Sequence, residues 1–296
     1  MAIRESKADR VFLYVLYAVL CIILLLIVYP VVYIVSSSFS SSSAVMDGKV
    51  WLWPVHPTLF GYEAAFAYST IWTGYLNSVI YAAGGSALSV VLTIMLAYPL
   101  SRPEFYGRNV WIVALLFAMI FNGGLIPYYL VVKSLGMLNT RWSIIVPSGL
   151  NIFSVIVAKT FFQSSVSRDL HDAAEMDGCS DIRFLLQIVV PLSKPIIAVV
   201  LLWSAVFQWN SYFQALIFLD STRLLPLQIV LRNILVLGQA STSQMSLSPE
   251  ALKYFEAMRT LLKYSVIVIA SVPMLMMYPL VQRYFVKGIM IGSVKE

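Results

Sequence analysis

Apolar residues in this chain fall into long runs separated by short polar segments, and a crossing of the roughly 30 Å hydrocarbon layer takes about 20 of them per helix. Six runs approach or exceed that length: Val11 to Val35, Ile71 to Leu100, Val110 to Val132, Trp142 to Phe162, Pro195 to Leu219 and Tyr264 to Val286. Each predicts a membrane-spanning helix, and an even number places both termini on one side. The first run has the outline of a signal peptide, with Arg4, Lys7 and Arg10 before it and a serine-rich stretch after it. Its length of about 25 residues predicts a retained span instead. The expected class is all-α, with residues 11–286 as the transmembrane domain, 1–10 as a short N-terminal segment and 287–296 as a tail.

Two segments between runs, 36–70 and 220–263, are too long to be turns and are expected to carry local structure. In the second, Ser248 precedes Pro249 as an N-cap precedes a first helical position, and Leu252, Phe255, Met258 and Leu262 recur at helical spacing. An amphipathic helix is expected to lead into the last span.

Composition changes little in this picture and sharpens it. The 296 residues are 60% hydrophobic and 11% charged, against about 25% charged in soluble domains, so lipid is the expected solvent. The net charge of +6 comes from Lys and Arg in small clusters between apolar runs, which argues against a nucleic-acid tract. Eleven of them fall on the side of the termini and eight over the longer loops opposite, so the termini are predicted to be cytoplasmic. Trp51, Trp53, Tyr128 and Tyr129 lie where interfacial aromatic belts are expected. Cys21 and Cys179 have neither metal-site nor disulfide spacing, and His56 and His171 stand as isolated loop residues, so no metal site is expected.

The most informative polar stretch, 167–195, reads SRDLHDAAEMDGCSDIRFLLQIVVPLSKP and falls on the cytoplasmic side. It predicts one short helix ended by Gly178 and a second capped by Ser180 and interrupted by Pro191. Leu170, Ala173, Ala174 and Asp177 share a face of mostly small side chains that another backbone can approach. Asp172 and Glu175 stay available to a basic partner, and Ile182, Leu185, Leu186 and Val189 are expected to hold the second helix against the spans.

The order Asp172-Ala173-Ala174, three residues, Gly178, nine residues, Ile188, one residue, Val190-Pro191 resembles the EAA loop of importer-type ABC permeases. Asp172 stands where that family usually has Glu, and Val190 where it usually has Leu. The resemblance implies a type I ABC importer permease fold with six transmembrane helices. It also implies that Asp172, Ala173, Ala174, Glu175, Gly178, Ile188 and Pro191 form a coupling element seated in a cleft of an ATPase subunit, with Ala173, Ala174 and Gly178 making the close contact. The tail VKGIMIGSVKE resembles the maltose-type carbohydrate branch. FNGGLIPYY at 121–129 and Pro226-Leu227-Gln228 are similar to the group that imports alginate and pectin fragments. The partners implied are a second permease in a heterodimer, two ATPase subunits and an extracytoplasmic solute-binding protein, in a bacterial inner membrane. No G-x-x-x-x-G-K-[ST] loop occurs in the chain, so ATP and Mg are expected in the ATPase subunits and no cofactor on this one.

Amides within spans either line a cavity or tie helices together, which singles out Asn122, Asn151, Gln208 and Asn210. Trp209, Tyr212 and Phe213 beside them either stack on a sugar or pack against neighbours. Gly123, Gly124 and Pro127 mark either a gate or a kink. An ion-coupled secondary transporter is the alternative, and it usually needs acids or paired broken helices within the membrane. The six runs contain no Asp or Glu, and no Ser/His/Asp set or H-E-x-x-H supports an enzyme. The expected activity is alternating-access import of an oligosaccharide, with an acidic one implied by the resemblance.

Overall fold

The computed structural model describes residues 7–121, 123–234 and 249–293. Among them all regular structure is helical: α1 (Lys7–Ser38), α2 (Ser42–Met46), α3 (Phe60–Ala67), α4 (Ser69–Ser101), α5 (Arg108–Ile120), α6 (Leu125–Ser134), α7 (Trp142–Ile145), α8 (Ile152–Ser165) and α9 (Arg168–Met176). There follow α10 (Asp181–Phe184), a π-helical turn (Leu185–Val189), α11 (Val190–Leu192), α12 (Lys194–Trp209), α13 (Tyr212–Phe218), α14 (Leu227–Arg232) and α15 (Pro249–Ser293). Two compact units divide the chain, one of residues up to Ser69 with Leu231–Ser271, the other of Thr70–Val230 with Val272 onward.

In the first unit, α1 is apolar on every side and leaves Val11 through Val31 largely exposed. A helix with no polar face and no protein covering it has lipid as its natural surroundings. Its end is different. Ser36 Oγ donates to Leu52 O at 2.6 Å, Ser40 Oγ donates to Ser36 O at 2.6 Å and accepts from Val55 N–H at 3.0 Å. The Ser38 and Tyr62 hydroxyls lie 2.8 Å apart. Burial raises the pKa of the Tyr62 hydroxyl above the ordinary tyrosine value, and the Ser38 hydrogen bond opposes it. The segment 36–70 thus folds on itself, over a small core of Ala44, Val45, Val50 and Leu261. Gly61 permits that approach, since a Cβ there would lie 2.4 Å from Ser265 Oγ.

The second unit is organised on α4. Ala97 and Leu100 pack with Val155, Ala158 and Phe162 of α8 and with Ile196 and Val200 of α12. Further along, Tyr81 packs with Ile144, Ile145, Ala215 and Ile229. Polar groups fix the same interfaces: Asn77 Nδ2 donates to the carbonyls of Arg223 (2.8 Å) and Leu225 (3.1 Å), and Ser78 Oγ accepts from Leu227 N–H (2.9 Å). Ser204 Oγ donates to Ser89 Oγ at 2.8 Å. A Cβ at Gly85 would lie 2.1 Å from Gln208 Nε2, so the glutamine occupies the space a side chain on α4 would fill.

The six expected runs do not all appear as single long helices among the described residues. Among the described residues three helices are long and apolar enough to cross a membrane, α1, α4 and Tyr254–Pro279 within α15. Counting each bent pair as one span raises this to five. The run 110–132 is divided into α5 and α6, 113° apart, with Gly124 at φ +87° on the break. The run 142–162 becomes α7, a turn and the 14-residue α8, which at 1.5 Å per residue is about 21 Å long. The run 195–219 breaks at Asn210 and Ser211. Hydropathy adds up apolar side chains and is blind to whether the backbone stays helical, and these three corrections share that cause. Conversely, the expected amphipathic helix and last span are continuous in α15, which begins at Pro249 and runs through Pro273 and Pro279. Ser248 and the last three residues lie outside the described residues.

Candidate functional site

The stretch 167–192 is shaped by local rules at each end. Ser167 Oγ accepts from Leu170 N–H at 3.3 Å and opens α9. Gly178, at φ +73°, closes it: Gly178 N–H donates to Glu175 O and Cys179 N–H to Ala174 O, both at 2.9 Å. This is a Schellman cap, whose left-handed residue a Cβ would strain. Ser180 then caps α10 through Arg183 N–H.

Held this way, α9 has no buried residue. Met176 is 88% exposed and Ile182 72%, Asp172, Ala173 and Glu175 face solvent, and a Cβ at Gly178 would meet nothing within 4 Å. Ala174 is turned the other way and packs, with Cys179, on the core formed by α4, α8 and α12. The small face expected from the sequence is therefore split, Ala173 outward and Ala174 inward.

The second half differs from expectation in register. Ile182 and Leu186 are exposed, Val189 is buried, Leu185 and Ile188 are half-buried, and Phe184, which the spacing had left out, is the anchor at 1% exposure. Pro191 does not interrupt the helix. The π turn Leu185–Val189 precedes it and widens the backbone where a proline offers no N–H, and the helix continues through α11. The break comes at Ser193, where the axis turns 81° into α12.

Phe184 also joins this loop to the end of α4. The His171 ring meets it edge-on at 5.1 Å, and the Arg102 guanidinium lies 5.1 Å from its centroid. Arg102 also covers Tyr98 at 5.2 Å and donates to its hydroxyl at 3.3 Å. His171 is not isolated, since Nδ1 stands 3.8 Å from Asp172 and Nε2 3.6 Å from Asp181 on the next helix. His171, Asp172 and Glu175 bring one donor atom each within 4.8 Å of one another. A cleft of about 810 Å³ lies between Arg102 and Glu104 on one side and His171, Glu175 and Asp181 on the other.

The residues singled out within spans do not form one cluster. Asn122 lies outside the described residues. Asn151 caps α8, its Oδ1 accepting from Ser154 N–H at 2.9 Å. Gln208 is buried and donates from Nε2 to Ser148 Oγ at 2.8 Å. Trp209 is buried edge-on against Tyr75 at 5.6 Å. Asn210 ends α12 and donates to Val206 O at 2.8 Å, while Tyr212 packs beside Tyr81 and Ile144. Asn151 alone of these lines a groove of about 580 Å³ between α8 and α12, with Phe153, Ser154, Trp203, Phe207 and Gln214. Phe153 and Trp203 sit on different helices, so no local spacing marks them in the sequence.

No family model matches the chain. It is 36% identical over 287 residues to the polygalacturonan/rhamnogalacturonan transport system permease protein YtcP of Bacillus subtilis (strain 168), covering 97% of this chain and 99% of that one. It is 25% identical over 249 residues to the melibiose/raffinose/stachyose import permease protein MelC of the same organism, covering 83% and 84%. Among solved structures, a bacterial ABC transporter involved in the import of the acidic polysaccharide alginate contains a chain with TM-score 0.85 and 33% identity, over 95% of this chain and 99% of that one.

Proposed function

The chain belongs to the permease subunits of carbohydrate-importing ABC transporters, and from that premise we propose what it carries and how force reaches it. It is an integral membrane transport subunit and not an enzyme, and a permease of such a system works with a partner permease, ATPase and solute-binding protein. An ion-coupled secondary transporter is not favoured beside these relatives.

The finer reading is a heterodimer with a second permease, two ATPase subunits that hold ATP and Mg, and a solute-binding protein docking from outside. The membrane is the bacterial inner membrane, both termini are cytoplasmic, and the chain crosses it six times and binds no cofactor. Residues 167–195 are the coupling element. The observation that carries this is α9, fixed at both ends by its own caps yet burying none of its residues. A capped helix with an exposed outer face, in a loop that meets α12 at an angle of 81°, is suited to being seated in another protein and moved by it. Its motion would reach α4 through Phe184 and Arg102, and α12 through the π turn.

The substrate is an acidic oligosaccharide. The support is the pectin-type polymer named for one relative and the alginate named for the similar structure.

Both halves are testable in proteoliposomes holding the complete transporter. Gly178→Trp is expected to leave the chain inserted and abolish ATP-driven uptake, and unchanged uptake would overturn the coupling assignment. Side-by-side uptake of uronate and neutral oligomers tests the substrate, with a preference for neutral sugars sinking the acidic reading.

A further inference from the structure

We propose that the groove between α8 and α12 is a sugar-ring subsite that reads the apolar face and hydroxyl rim of its ligand and ignores its charge. This rests on the reading of the chain as an oligosaccharide pathway and adds which residues make contact.

Phe153 (54% exposed) and Trp203 (39%) face the groove from separate helices, their centroids 5.5 Å apart and their planes 36° from parallel. A lipid-facing pair needs no polar neighbours, but these have Asn151, Ser148, Ser154 and Gln214 around them. A pyranose ring has the same make-up, with C–H faces that lie against aromatic rings and hydroxyls at the edge that pair with amides and serines. The 580 Å³ of the groove falls within the roughly 300–1,000 Å³ of small-molecule sites.

No Asp, Glu, Lys, Arg or His lines it, so a carboxylate finds no counter-charge there. Two contacts hold its shape: Gln208, behind the wall, fixes Ser148, and Ser204, in the wall, is tied to Ser89 of α4. Recognition of the acid group then belongs to other parts of the importer, and this groove offers a moving chain a low, charge-independent hold.

The test uses the whole transporter in proteoliposomes, with Trp203→Ala, Trp203→Phe and Phe153→Ala compared for sugar imported per ATP hydrolysed. Trp203→Ala is expected to lower that ratio about three- to ten-fold, the loss of one aromatic contact, with Trp203→Phe recovering most of it. The fall should be equal for uronate and neutral oligomers of one length. An unchanged ratio for both alanine variants overturns the subsite. So does loss of the partner permease on co-purification, which would make the groove a subunit interface, and so does a defect confined to uronates. Wild-type preference for neutral sugars would remove the acidic-substrate reading by itself, while the variant-to-wild-type ratio still decides the subsite.

Discussion

A Cβ added at Gly178 would meet nothing within 4 Å, whereas one added at Gly85 would lie 2.1 Å from Gln208 Nε2. Gly85 sits in a regular helix and is needed for space; Gly178 has open space where a Cβ would stand and is needed for its φ of +73°. The seam between α4 and α12 is constrained from within the chain, by Gln208, Ser89 and Ser204. The loop 167–192 is constrained by its own caps and leaves its outer surface exposed. The two glycines separate a residue the fold requires from one whose surroundings the fold leaves open.

Phe184→Ala should break the contrast most, because this loop residue is buried as deeply as any in the seam. A loss of about 3–5 kcal/mol is expected from removing a core aromatic, read by thermal unfolding in detergent, together with loss of uptake. Gly85→Leu comes next, at about 1–3 kcal/mol for overpacking. Adding Gln208→Ala should recover part of it, and a double-mutant cycle that shows no coupling would mean the two residues are not in competition. Gly178→Ala is expected to cost about 1–2 kcal/mol through the left-handed backbone alone. Gly178→Asn, which tolerates that conformation, should unfold near the wild-type temperature and still import poorly, separating strain from obstruction. Ser204→Ala should be the mildest in stability, at about 0.6 kcal/mol for one hydrogen bond within a membrane protein, read by the same thermal unfolding.

What was legible in the sequence was local. Gly178 and Ser180 specify a helix end and a cap within a few residues of themselves, and the structure uses each as such. Apolar run length found the helical material but not its breaks: Gly123 and Gly124 marked the bend in the run 110–132, whereas Asn210 interrupts the backbone without lowering hydropathy much. Burial in the second half of the loop falls on a neighbouring helical face. Phe184, Leu185, Ile188 and Val189 recur at i, i+1, i+4 and i+5 and turn inward, while Ile182 and Leu186 stay exposed, and apolar spacing alone does not choose between the two faces. The Phe153–Trp203 groove depends on two helices meeting, some 50 residues apart in sequence, which no window of the chain contains.

That π turn also has a meaning for chain length. An α-helix advances about 100° per residue, and a wide turn stores one residue more than the helix needs. Removing a single residue from Leu185–Val189 would let the helix close to ordinary α geometry. The helices on either side would keep close to their present register, because the wide turn is where the extra residue is taken up. The turn is slack in the linkage, a residue the loop can lose without changing how it presents Ala173 and Met176.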